Sequence, residues 1–180
     1  MSNKAKMGKP KTTKAESDQE DEEFYQFQMK KIMEDIRAIC ARESVPFNES
    51  VLEGFEYSQL CQILLGYRAG YDITQVVTPA FGCAEIALLR SHLLDSGLHH
   101  KAIDMSAYAK PEYNEGQMKW ISRGMFEIWN VSKYAIPELS AQQMGAFLTA
   151  MRDGIDVSAY ATSEIEGDLM IEMRVWLMGA

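Results

Sequence analysis

The sequence predicts an all-α fold, and three observations predict it. A block of residues recurs every 26 positions, apolar residues between the recurrences fall on helical stripes, and no strand-like alternation is present. The expected architecture is a tandem array of about five helix–turn–short-helix units. Together they form a compact, slightly curved solenoid or bundle.

The recurrence is clearest at Met105-Ser106-Ala107-Tyr108-Ala109, Val131-Ser132-Lys133-Tyr134-Ala135 and Val157-Ser158-Ala159-Tyr160-Ala161, each 26 residues after the last. Asp104, Asn130 and Asp156 precede these blocks. The same step relates Gln117 to Gln143, and Met118 to Met144 to Met170. Asp72-Ile73-Thr74 belongs to an earlier unit, whose Gln59 lies 13 residues ahead of Asp72 as Gln117 does of Asn130. One unit holds about six extra residues, placed around Gly97 to Ile103. Gln28-Met29 reads as a further unit start, and a terminal helix is expected near Leu169.

Each long helix has a start signal. Asn114 and Ser140 suit N-caps, Gln117 and Gln143 stand three residues later to complete a capping box, and Tyr113/Met118 and Leu139/Met144 form hydrophobic staples. Phe81, Gly82, Glu85 and Ile86 repeat the arrangement. The bodies then carry one stripe each: Met144, Phe147, Leu148, Met151 and Ile155; Leu60, Ile63, Leu64, Tyr67 and Tyr71; and Met29, Ile32, Met33, Ile36 and Ile39. Gly70, Gly97 and Gly154 stand where left-handed C-caps are wanted, and Trp129 occupies that region in the unit without one.

The short element follows. Asp72, Asp104 and Asp156 are expected to act in capping, and Ser106, Ser132 and Ser158 to start the short turn. Tyr108, Tyr134 and Tyr160 should then pack it on a neighbouring helix. Pro111 and Pro137 end it, since the residue before proline is pushed to extended backbone.

The 180 residues are 47% apolar and 24% charged, ordinary values for one folded domain. Residues 1–23 stand apart: five lysines and then six acids, with too little apolar surface to offset ordering, predict a disordered charged tail ahead of a single domain over 24–180. That domain keeps 13 basic and 20 acidic residues, a net charge of −7. Such a surplus argues against direct nucleic-acid binding, because phosphate neutralisation needs a basic face. The lysines are followed by no apolar run, so no signal peptide is expected, and no stretch is apolar enough to span a membrane. Cys40, Cys61 and Cys83 are odd in number and lack CxxC spacing, which predicts reduced thiols and a cytoplasmic setting.

The signature Gln-Met, helix, Gly-x-Asp-Val-Ser-x-Tyr-Ala-x-Pro resembles uncharacterised short helical-repeat proteins of Gram-positive gut bacteria, some encoded near mobile elements. Gln117-Met118, Gln143-Met144, Asp104 to Pro111 and Gly154 to Ala161 carry the resemblance, which spans about 57–178. Val76-Val77, Ser163 and Leu169 depart from it. It implies a helical-repeat fold in a bacterial cytoplasm, and no activity or catalytic residue.

The chain holds no phosphate loop, nucleophile elbow or His-Glu-x-x-His motif. His92, His99 and His100, with Cys83, Glu85 or Asp95, match no metal-ligand spacing, and one aspartate per unit cannot build a calcium site. No cofactor and no metal are expected, and the chain reads as a non-enzyme. The expected function is protein interaction, as an adaptor or scaffold with another protein as partner. The other readings are a nucleic-acid-associated protein and an acidic decoy of a DNA-binding enzyme. Partner contacts are expected at His99, His100 and Lys101, where one unit breaks the rule of its siblings, and at Trp120 and Trp129.

Overall fold

The glutamines that close the capping boxes do more than cap. Gln117 Oε1 accepts from the Asn114 backbone N–H at 2.8 Å, and Asn114 Oδ1 accepts from the Gln117 N–H at 3.0 Å. The same amide then donates from Nε2 to the carbonyls of Pro137 (2.9 Å) and Leu139 (2.6 Å), just ahead of the next helix. Gln59 repeats this with Glu56 N–H, Pro79 O and Phe81 O. Gln143 does so with Ser140 N–H, Ser163 O and Ile165 O. All three are buried, and each pairs buried or partly buried backbone groups in two successive segments.

A computed structural model describes residues 14–99, 104–127, 129–156 and 162–179, and among these every regular element is helical. The long helices are α1 (Lys14–Glu43), α2 (Tyr57–Arg68), α3 (Cys83–His99), α4 (Glu115–Phe126), α5 (Ala141–Arg152) and α6 (Gly167–Met178). Four 3₁₀ turns lie between them: η1 (Glu49–Leu52), η2 (Ile73–Gln75), η3 (Met105–Ala107) and η4 (Val131–Lys133). Each long helix packs chiefly on the next in sequence, α1 on α2 through to α5 on α6. The core runs through these junctions, with Ile36, Leu60, Ile63, Ile86, Leu89, Met118, Ile121 and Met144 fully buried. No helix among the described residues is long and apolar enough to cross a membrane.

Phe81, Tyr113 and Leu139, just before the caps, are buried, as are Ile86, Met118 and Met144, the residues expected to pair with them. Phe55 and Leu60 hold the same two places at α2 and are buried too. Tyr67, Gly70 and Tyr71 close α2 with paired end bonds, Tyr71 N–H to Gly66 O and Gly70 N–H to Tyr67 O, both 3.0 Å. Gly70 and Gly154 have φ of 82° and 75°, the left-handed backbone such an end requires.

Several expectations change. Gln28-Met29 is no helix start but lies inside the 30-residue α1, because nothing in Phe24-Tyr25-Gln26 breaks or caps a helix. That helix also takes in residues 14–23, assigned by composition to the tail. Exposed pairs one turn apart, Gln19 to Glu23 and Gln26 to Glu22, accompany it. Residues 1–13 lie outside the described residues. Gly97 is not a C-cap but lies within α3. The extra residues lengthen that helix to 17, against 12 in α2, α4, α5 and α6, instead of forming only a loop. The terminal helix begins at Gly167, two residues before Leu169.

Acidic or amide residues, rather than serine, cap the short turns. Asp72, Asp104 and Asn130 accept from the N–H of Thr74, Ser106 and Ser132, each two residues on, the reach of an Asx side chain. Asn48 does the same for Ser50 at η1, a turn the period does not announce. Asp156 is exposed, and Ser158 and Tyr160 lie outside the described residues.

Replacing Gln117 with leucine strands the buried Leu139 carbonyl, the partly buried Pro137 carbonyl and a cap N–H, and should lower the unfolding free energy by about 2–3 kcal/mol. Gln117→Glu should cost a similar amount, since a carboxylate cannot donate to Pro137 and Leu139. Urea denaturation measures both, and a loss confined to the leucine variant would refute the donor role.

Candidate functional site

Small residues recur nine positions into the long helices, and the 3₁₀ turns use the room they leave. Gly66, Gly124 and Ala150 hold this place in α2, α4 and α5, and His92 holds it in α3. Tyr134, the residue after η4, is fully buried. A Cβ on Gly124 would overlap its hydroxyl, which reaches Trp120 O at 3.4 Å, and its ring stacks on Phe147 of α5 with centroids 6.2 Å apart. Tyr134 therefore packs its short element on both flanking helices.

Tyr108 meets a different partner. Its hydroxyl lies 2.8 Å from His92 Nδ1, with the rings edge-on at 5.5 Å, and Phe126 of α4 closes the imidazole's other side at 6.1 Å. Burial pushes the His92 pKa below its ordinary value, against the opposing pull of Asp95, and pushes the Tyr108 phenol upward. Both groups are therefore neutral near pH 7, which suits a phenol O–H donating to imidazole. His92 is thus a core residue with its polar edge satisfied, and the described residues contain no group of three or more His, Cys, Asp or Glu that could hold a metal.

Where the rule breaks, a groove opens. Val76 stands where Tyr108 and Tyr134 stand after their turns, four residues past the cap. Beside it, between η2, α3 and η3, lies a groove of about 490 Å³ lined by Val76, Leu93, Met105 and Ala109, with Gln75, Asp104 and Ser106 as its polar edge. Hydrogen bonds from Ser106 hold the Asp104 carboxyl below its usual range, so it carries charge at neutral pH. This is a concave apolar surface with an anionic rim, suited to an apolar side chain next to a basic one.

The expected contact residues divide. Trp120 is half-buried: a Cβ on Gly145 of α5 would fall 2.7 Å from its Cε2, so the indole is a packing element of the α4–α5 junction. Arg123 covers its ring at 5.6 Å. Trp129 is half-buried as well, one place beyond the glycine position. Its backbone N–H closes α4 on Gly124 O at 2.9 Å, as that of Tyr71 closes α2. His99 ends α3, while His100 and Lys101 lie outside the described residues. The groove was missed by residue type, though Val76 in a tyrosine column signals it. Trp176, unremarked in the sequence, is 83% exposed. No family model, curated protein or solved structure matches the chain.

The depressed His92 pKa carries a pH dependence. In the unfolded chain His92 takes up a proton near 6.5, whereas the folded chain resists it, so acidification favours unfolding. Stability should be steady above that pH and fall as pH drops from about 6.5 toward the folded pKa. Denaturation across this window measures the slope, and His92→Gln should flatten it. An unchanged slope would move the effect to another group.

Proposed function

We propose that the chain is a non-enzymatic protein-interaction module, a tandem array of about five like helical units that presents a groove to a partner segment. The observation that carries this reading is the succession of buried glutamine bridges. Each holds one helix to the segment that starts the next, and stacks of this kind display extended surfaces. A resemblance to gut-bacterial repeat proteins, some of them encoded near mobile elements, fits a cytoplasmic module.

The groove beside Val76 is the proposed docking place. One departure from the unit rule lies there, valine at 76 in place of tyrosine. Scaffold positions repeat because packing constrains them, so a place where the rule lapses is where a contact can be added. The anionic Asp104 at its rim favours a partner segment that pairs an aliphatic or aromatic side chain with Lys or Arg.

The net charge of −8 disfavours binding to phosphate, in keeping with a protein partner. A partner recovered on the immobilised chain from cells that express it should be lost on Leu93→Asp and on Val76→Tyr, with both variants keeping wild-type circular dichroism. A salt-sensitive shift of labelled duplex DNA, or a partner indifferent to both substitutions, would overturn the proposal.

A further inference from the structure

One side of α5 can be compared place by place with the same side of α6. Two, six and nine residues into α5 stand Gln143, Phe147 and Ala150, exposed by 5%, 3% and 1%. The same places in α6 are Leu169, Met173 and Trp176, and Leu169 and Trp176 are 49% and 83% exposed. Met173 between them is half-buried and packs on the core, which leaves Leu169 and Trp176 as the open apolar positions.

Trp176 fills the place, nine residues into α6, that glycine, alanine or histidine holds in α2, α3, α4 and α5. A two-fold pairing of α6 with itself does not suit the face. Glu172 lies five places into the helix, on the same side as Leu169 and Trp176, and such a pairing would bring two copies of it together.

The other end offers the complement. Phe24 and Phe27 on α1 are 61% and 62% exposed, and with Lys31, Ile32 and Tyr57 they border a groove of about 320 Å³. Lys30 and Lys31 flank Phe27, with Glu34 and Asp35 one turn further on. Among the described residues, neither lysine and neither Glu172 oxygen is held in a salt bridge.

We propose that copies of this chain associate head to tail, the α6 face of one seating Trp176 in the Phe24–Phe27 groove on α1 of the next. Glu172 then faces Lys30 and Lys31, and nearest-neighbour helix packing continues from one copy to another. Such a contact is heterologous, so each copy keeps one free end of each kind unless a ring closes. It uses neither the groove beside Val76 nor its partner, and stands or falls independently of the module reading.

Sedimentation of the full chain over the micromolar to millimolar range tests it. The weight-average mass should climb above the 20.4 kDa monomer with concentration and fall back when salt is added. Trp176→Glu and Phe27→Glu should each remain monomeric alone, while an equal mixture should form a discrete dimer of one copy each, since one variant retains the head and the other the tail. Glu172→Lys should weaken association, and adding Lys30→Glu and Lys31→Glu to the same chain should restore it. A wild-type chain that stays monomeric overturns the proposal. So does a Phe27→Glu variant that associates like wild type, or a mixture that does not pair.

Discussion

One side-chain amide, used again and again, organises this molecule. A glutamine at the third position of a helix can accept from its own cap and donate outward at once, and the three that do so are buried. Leaving a buried carbonyl unpaired costs about 1–3 kcal/mol, so the segment between units has a strong reason to lie where the amide can reach it. Helix start and unit spacing are thereby coupled through one residue. Glu85 shows what the amide contributes. A carboxylate cannot donate to carbonyls, and Glu85 Oε1 instead accepts from the Glu115 N–H at 2.9 Å, at the junction where α3 has lengthened.

The second constraint is space nine residues into each helix. Glycine at 124 admits the Tyr134 hydroxyl, and histidine at 92 meets the Tyr108 hydroxyl with a hydrogen bond. Where Val76 replaces tyrosine, neither solution operates, and a groove is left beside it. The ninth place holds Trp176 in α6, where it is exposed. Departures at two places, Val76 in the tyrosine column and Trp176 at the ninth helical place, thus go with open surfaces where contacts with other molecules can form.

Much of the local structure was legible in the sequence because its signals are short-range. Asn114 with Gln117 and Ser140 with Gln143 mark helix starts through bonds that span three residues. The stripes through Leu60, Ile63 and Leu64 name the buried side. Legibility failed where a signal was relative: Gln28-Met29 copies a unit start, but with no cap ahead of it α1 runs straight through. Gly97 looks like a helix end and lies inside one. The candidate site was less legible, since a groove is defined by what surrounds it and Val76 is unremarkable by itself.

What the sequence by itself determined is the helical content and the cap residues, since these rest on interactions between residues a few places apart. Only the tertiary structure decided which tryptophan is packed and which is bare: Trp120 lies against Gly145, whereas Trp176 faces outward. The reason is physical. Exposure depends on whether a neighbouring helix is present to cover a given side, and the indole alone carries no record of it.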